Sequence, residues 1–148
     1  MLANSFVNEA LYNLFSFNHL TCTMDDLPPL NTDTILAILN NTIADQTVND
    51  LVAYYLGYRY DATQKIWDNS LVKEDWQQEY PQPPDFISNR PPTVKLTRSI
   101  PAENKQLLKE KLKFQGYKIG EFGPRQTRRA TAANWLLSYL EIHGEVES

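Results

Sequence analysis

The chain has 148 residues, with 14 Lys+Arg against 18 Asp+Glu and one cysteine, Cys22. That length permits one buried core without metals or cross-links, a lone cysteine excludes an internal disulfide and a four-cysteine zinc site, and no apolar run approaches the roughly 20 residues that cross a bilayer. The expectation is a soluble, cytoplasmic protein whose net charge of −4 conceals two opposed parts: residues 1 to 94 carry 12 acids and 4 bases, whereas residues 95 to 148 carry 6 and 10.

The opening MLANSFVNEALYNLF lacks the basic n-region of a secretory signal and carries Glu9 inside its apolar stretch, so it reads as part of the fold. Phe6, Val7, Ala10, Leu11, Leu14 and Phe15 form one helical stripe, predicting a helix over residues 4 to 17. Asp25, Asp26, Pro28 and Pro29 then make a loop. Thr32 or Asp33 caps a short apolar segment, Ile35 to Leu39, and a second cap at Asp45 opens a helix patterned by Val48, Leu51, Val52, Tyr55 and Leu56 and closed by Gly57. YRYDATQKIW predicts a β-hairpin around DATQ, with Tyr58, Tyr60, Ile66 and Trp67 available to cover the helices.

Five of the nine prolines lie between Pro81 and Pro92, and the expectation there is an extended strap that resists helix, pinned to the core by Trp76, Tyr80, Phe86 and Ile87. Ser99 and Pro101 are expected to open a helix with Lys109, Lys111 and Lys113 toward its end, and the glycine-punctuated QGYKIGEFGPRQ leads into a last helix over residues 126 to 142. The fold class is mainly α: a small helical bundle with a β-hairpin in winged-helix-like order, a proline-rich strap and a C-terminal helix-loop-helix. The divisions are residues 1–70 (acidic helical region with the hairpin), 71–98 (strap) and 99–148 (basic helical pair).

Between Lys95 and Arg129 lie 10 bases and 3 acids, the densest cationic stretch of the chain. Arg125, Arg128 and Arg129 stand at the start of the last helix, where the macrodipole disfavours cations by a few tenths to about 1 kcal/mol each unless an anion arrives. Free amides and guanidinium forks suit phosphate, while pairing with the acidic half is the alternative. Arg125, Gln126, Arg128, Arg129 and Asn134 also match the residue types of a helix-turn-helix reader, although the connection is longer than that motif uses. Tyr117 and Phe122 flank Lys118, the interleaving of single-strand binders.

Catalysis has little in its favour. Pro84-Asp85 with Glu103-Asn104-Lys105 matches a metal nuclease pattern only superficially, since Glu103 is explained by helix capping. His19, Cys22, Asp25 and Asp26 lack metal-ligand spacing, His143 suits a helix C-terminus, and no nucleotide-binding glycine loop is present. No catalytic set, metal or cofactor is assigned.

These residues point to a non-enzymatic regulatory protein that binds DNA or RNA phosphates through Arg98, Lys113, Lys118, Arg125, Arg128 and Arg129, with Tyr117, Phe122 and Gln126 as further contacts. The alternative is an adaptor docking an acidic protein surface through the same cations and the proline strap. A third arrangement is a homodimer of charge-complementary protomers.

Overall fold

The computed structural model describes residues 26–117 and 123–144. The helix expected over residues 4 to 17, together with His19, Cys22, Asp25, Lys118 and Phe122, lies outside the described residues. Among those described, six α-helices, one 3₁₀ turn and one antiparallel hairpin make a mainly helical fold.

The first helix, α1, spans Thr32–Leu39. Asn31 caps it by accepting the Thr34 N–H at 2.9 Å, one of the donors left free at a helix start. Ile35, Ile38 and Leu39 are buried. The second helix, α2, spans Asp45–Leu56, with Asp45 in its first turn rather than at the cap, which is Ala44. It ends as expected at Gly57, whose φ of +117° suits a residue without a Cβ. A Cβ there would also lie 2.6 Å from the Leu71 carbonyl oxygen.

The hairpin pairs β1 (Arg59–Asp61) with β2 (Ile66–Asp68), Tyr60 opposite Trp67 with ring centroids 5.0 Å apart. Asp61 Oδ1 shapes the turn by accepting the Thr63 and Gln64 N–H groups. Tyr58, just before β1, is fully buried, donates its hydroxyl to the Tyr80 carbonyl at 2.6 Å, and has its pKa pushed up to about 12 by burial. Ile66 does not cover the helices, being 52% exposed.

The strap departs from its expected form. Its first part folds as α3 (Glu74–Glu79), which buries Trp76, and Phe86 and Ile87 pin the chain to the core as anticipated. Asn49 fixes the crossing: its Nδ2 donates to Asp85 Oδ1 at 2.9 Å and its Oδ1 accepts the Phe86 N–H at 2.8 Å. Residues Arg90–Ser99 then form α4, contrary to an extended strap throughout. Pro91 and Pro92 occupy the first turn, where amide donors have no intrahelical partner and the fixed φ of proline is already helical. The helix expected from Pro101 is divided into a 3₁₀ turn (Ala102–Asn104) and α5 (Leu107–Leu112), closed by Lys113 at φ +60°.

The last helix, α6, spans Pro124–His143 and packs against α1, α2, α4 and α5. Ala132, Ala133, Leu136, Leu137 and Leu140 make its buried stripe, and the small alanines admit close approach of its neighbours. Gly57→Ala is expected to lower stability by more than about 1 kcal/mol in urea denaturation, because the left-handed φ and the Leu71 carbonyl both oppose a Cβ.

Candidate functional site

The three arginines at the root of α6 were expected to face solvent, and two of them are spent inside the molecule. Arg129 is fully buried. Its Nη1 donates to Asp45 Oδ1 at 2.6 Å, its Nη2 to the carbonyls of Ile38 at 3.0 Å and Ile43 at 2.7 Å, and its Nε to Ile38 at 3.3 Å. The Ile38 carbonyl belongs to the last turn of α1, where it also accepts the Asn41 N–H at 3.2 Å, so the guanidinium takes up its remaining acceptor capacity. Arg125 donates from Nε to Asp45 Oδ2 at 2.7 Å and from Nη2 to Asn41 Oδ1 at 2.8 Å. Arg128 is half-buried and donates to the Ile87 carbonyl at 3.2 Å. Gln126 is no reader of a groove, since its Oε1 accepts the Gly123 N–H at the start of α6.

Helical spacing explains this placement. Arg129 lies three and four residues before Ala132 and Ala133, so the apolar stripe, continued back one turn, falls on it. Asp45 is the complementary element. Burial, the largest single cause, raises its pKa, the hydrogen bonds and charges of Arg125 and Arg129 together outweigh it, and the net shift is downward. Its position in the first turn of α2 is favoured by that helix dipole as well.

Of the other expected contacts, Tyr117 is also structural: its hydroxyl donates to the Leu39 carbonyl at 3.1 Å. Arg98 and Lys113 are exposed. Asp85 of the nuclease-like pattern is consumed by Asn49 and by the Ile87 and Ser88 N–H groups, and Asn134 is buried rather than groove-facing.

The structure instead brings together residues that sequence reading did not join. A cleft of about 550 Å³ lies between the end of α4, α5, the arm through Gly116 and one face of α6, and is lined by Thr97, Ile100, Lys105, Gln106, Leu108, Lys109, Phe114, Gln115, Gly116, Thr127, Ala130, Thr131 and Asn134. Among the described residues, two lysines and no carboxylate stand in this wall, on a chain whose net charge is −4. Lys105 Nζ donates to the Thr97 carbonyl at the end of α4. Among the described residues neither Lys105 nor Lys109 forms an ion pair, nor do Arg98 and Lys113 outside the cleft. The available signal was the spacing of Thr127, Thr131 and Asn134, which puts them on one face of α6 beside the apolar stripe.

Asn134 supplies the cleft's unusual feature. It is 8% exposed, its Nδ2 points at the Asn104 and Lys105 carbonyls at 3.4 and 3.5 Å, and its buried Oδ1 has no donor. An orphaned acceptor of this kind costs about 1–3 kcal/mol. Asn104 next to it is satisfied, donating to Ser138 Oγ at 3.0 Å.

A second depression, about 410 Å³, is aromatic: Tyr55, Trp135 and Tyr139 face it, with Leu71 and Ile142 exposed by 67% and 56% at its edge. Tyr55 and Tyr139 rings lie 4.8 Å apart, and burial raises the Tyr55 pKa. Lys73 and His143 stand on its rim, and among the described residues no carboxylate lines it.

Residues 29–141 match the model of a family described as a domain of unknown function, DUF1823. The chain belongs to this family. The match takes in both depressions and the Asp45–Arg129 tie, so all of these sit within the DUF1823 domain apart from two groove residues beyond it, Ile142 and His143. A solved solution NMR structure is 52% identical, with a TM-score of 0.70, over 78% of this chain and 96% of that one. No curated protein matches the chain.

Arg129→Ala is expected to lower stability by about 3–5 kcal/mol, because it leaves buried acceptors unpaired, and Arg125→Ala by no more than about 1 kcal/mol, because that pair is half in water. Thermal or urea denaturation reads both. The Asp45 contribution is present above the unfolded carboxylate value of about 3.9 and is lost as pH falls through the lower folded value. Asp45→Asn is therefore expected to flatten the acid limb of the stability profile, measured by denaturation between neutral pH and strong acid.

Proposed function

We propose that this DUF1823 protein is a non-enzymatic regulatory module that binds nucleic-acid phosphates through its basic C-terminal half, with the lysine cleft as the contact. The observation that carries the reading is the charge balance of the cleft wall, where among the described residues Lys105 and Lys109 stand without a carboxylate, while Asp45 has taken Arg125 and Arg129. Lys113 and Arg98 extend the same sign from the two neighbouring elements, the end of α5 and the end of α4. Lys109 and Lys113 are exposed and Lys105 is an exposed residue whose ammonium keeps further donors beside its bond to Thr97, and ammonium groups on flexible stems suit backbone phosphates that vary in position. The arginines at the α6 root serve this function indirectly, by holding the cleft's long wall in place.

An acidic protein surface is the second reading, and the aromatic depression favours it. Tyr and Trp side chains that are rigid and partly exposed are the usual anchors of protein interfaces, and the rim ionisable groups here are Lys73 and His143.

Phosphate contact makes affinity fall with salt, by a slope of about 0.7 to 0.9 per phosphate engaged. The triple variant Lys105→Ala/Lys109→Ala/Lys113→Ala is expected to weaken oligonucleotide binding uniformly and to reduce the logarithmic salt slope by about 2 in fluorescence anisotropy. Arg125→Gln is expected to leave that slope unchanged. Retained binding with an unaltered slope in the triple variant overturns the proposal, as does binding of an acidic peptide that resists moderate salt and displaces nucleic acid.

A further inference from the structure

We infer that the lysine cleft takes a single strand with one base turned inward and discriminates against duplexes; the inference rests on the phosphate-binding reading above. Duplex recognition uses a helix that stands out from the fold and lays its side chains along a groove. The face of α6 that a helix-turn-helix would present holds Arg129, which is buried, and α5 is only six residues long. A concave site of about 550 Å³ calls for a ligand that protrudes, and the protruding part of a single strand is an unstacked base.

The lining has the groups such a base requires. Phe114 is half-buried on the core and meets Tyr117 edge-to-face at 5.2 Å, so its ring is held before any ligand arrives and little freedom is lost on stacking. Gln106 and Gln115 are exposed and lie on the cleft wall, each with an amide that offers a donor and an acceptor side by side. That pairing complements the Watson–Crick edge of an unpaired base. Asn134 stands in the same wall, with its unpartnered Oδ1 shielded from solvent. Its amide cannot simply turn over, because the oxygen would then face the carbonyls of Asn104 and Lys105. The lysine heads on the wall then meet the flanking phosphates.

The test is anisotropy with the full chain and four labelled eight-residue probes: single-stranded RNA, single-stranded DNA, the corresponding DNA duplex, and an abasic strand that keeps every phosphate and lacks bases. The base-bearing single strands are expected to bind at least about tenfold tighter than the duplex and the abasic strand. Gln106→Ala/Gln115→Ala, both exposed positions that leave the core intact, is expected to lose about five- to tenfold on the base-bearing strands while keeping the abasic affinity and the salt slope. Phe114→Leu is expected to act in the same direction. Equal affinity for abasic and base-bearing strands, or preference for the duplex, overturns the base pocket while the phosphate reading stands. Failure of all four probes to bind at low salt overturns both.

Discussion

A guanidinium inside a protein keeps its charge, so the interior around it has to supply acceptors in the directions of its fork. Arg129 sets that requirement here. The acceptors come from the last turn of α1, the turn after it and the first residue of α2, all held against α6 by one side chain. Arg125 meets Asn41 one turn earlier on α6 while Arg129 meets Ile38, so the two helices run antiparallel and the register between them is specified by polar contacts as well as by packing. Apolar stripes alone tolerate sliding by a turn far more readily than a fork with directed bonds does.

The reversal of charge along the chain thereby acquires two separate meanings. Part of it is internal: Asp45, from the acidic part, pairs with two arginines from the basic part, one at each carboxylate oxygen, and offsets one of their two charges at the root of α6. Lys95 is spent similarly between Asp75 and Glu79, and Lys111 on Glu141. Among the described residues the cations without a carboxylate partner are Arg59, Lys65, Lys73, Arg90, Arg98, Lys105, Lys109, Lys113 and Arg128. Of these, Lys105, Lys109, Lys113 and Arg98 gather at or near the cleft, away from the root of α6, where Arg125 and Arg129 are paired with Asp45.

Local chemistry made much of the fold legible. Gly57 marked a helix end because a left-handed terminus favours glycine, DATQ marked a hairpin because Asp61 can bond the turn amides, and Phe86 and Ile87 marked contact with the core because they are too apolar for a free strap. Pro91 and Pro92 misled because proline blocks a helix interior yet favours a first turn, and only the downstream residues decide which applies. The candidate site was less legible. Charge count cannot tell an exposed arginine from one on a buried stripe, although the spacing of Arg129 from Ala132, Ala133 and Leu136 carried that information. The cleft draws its walls from residues as far apart as Thr97 and Asn134, a closure that depends on how α4 and α5 pack on α6 and not on any local pattern.

The central claim is that Arg125 and Arg129 of α6 are internal ties and that the lysines of the cleft are the cations that meet a nucleic acid. Side-chain NMR of arginine Nε–H and lysine Nζ groups, followed while a single-stranded oligonucleotide is titrated in, tests this most directly. The account predicts an Arg129 Nε–H protected from hydrogen exchange to the level of the α6 core amides and unmoved by the titration, with the Lys105 and Lys109 signals shifting. Rapid exchange at Arg129, or a titration that moves Arg129 and leaves both lysines in place, would contradict it.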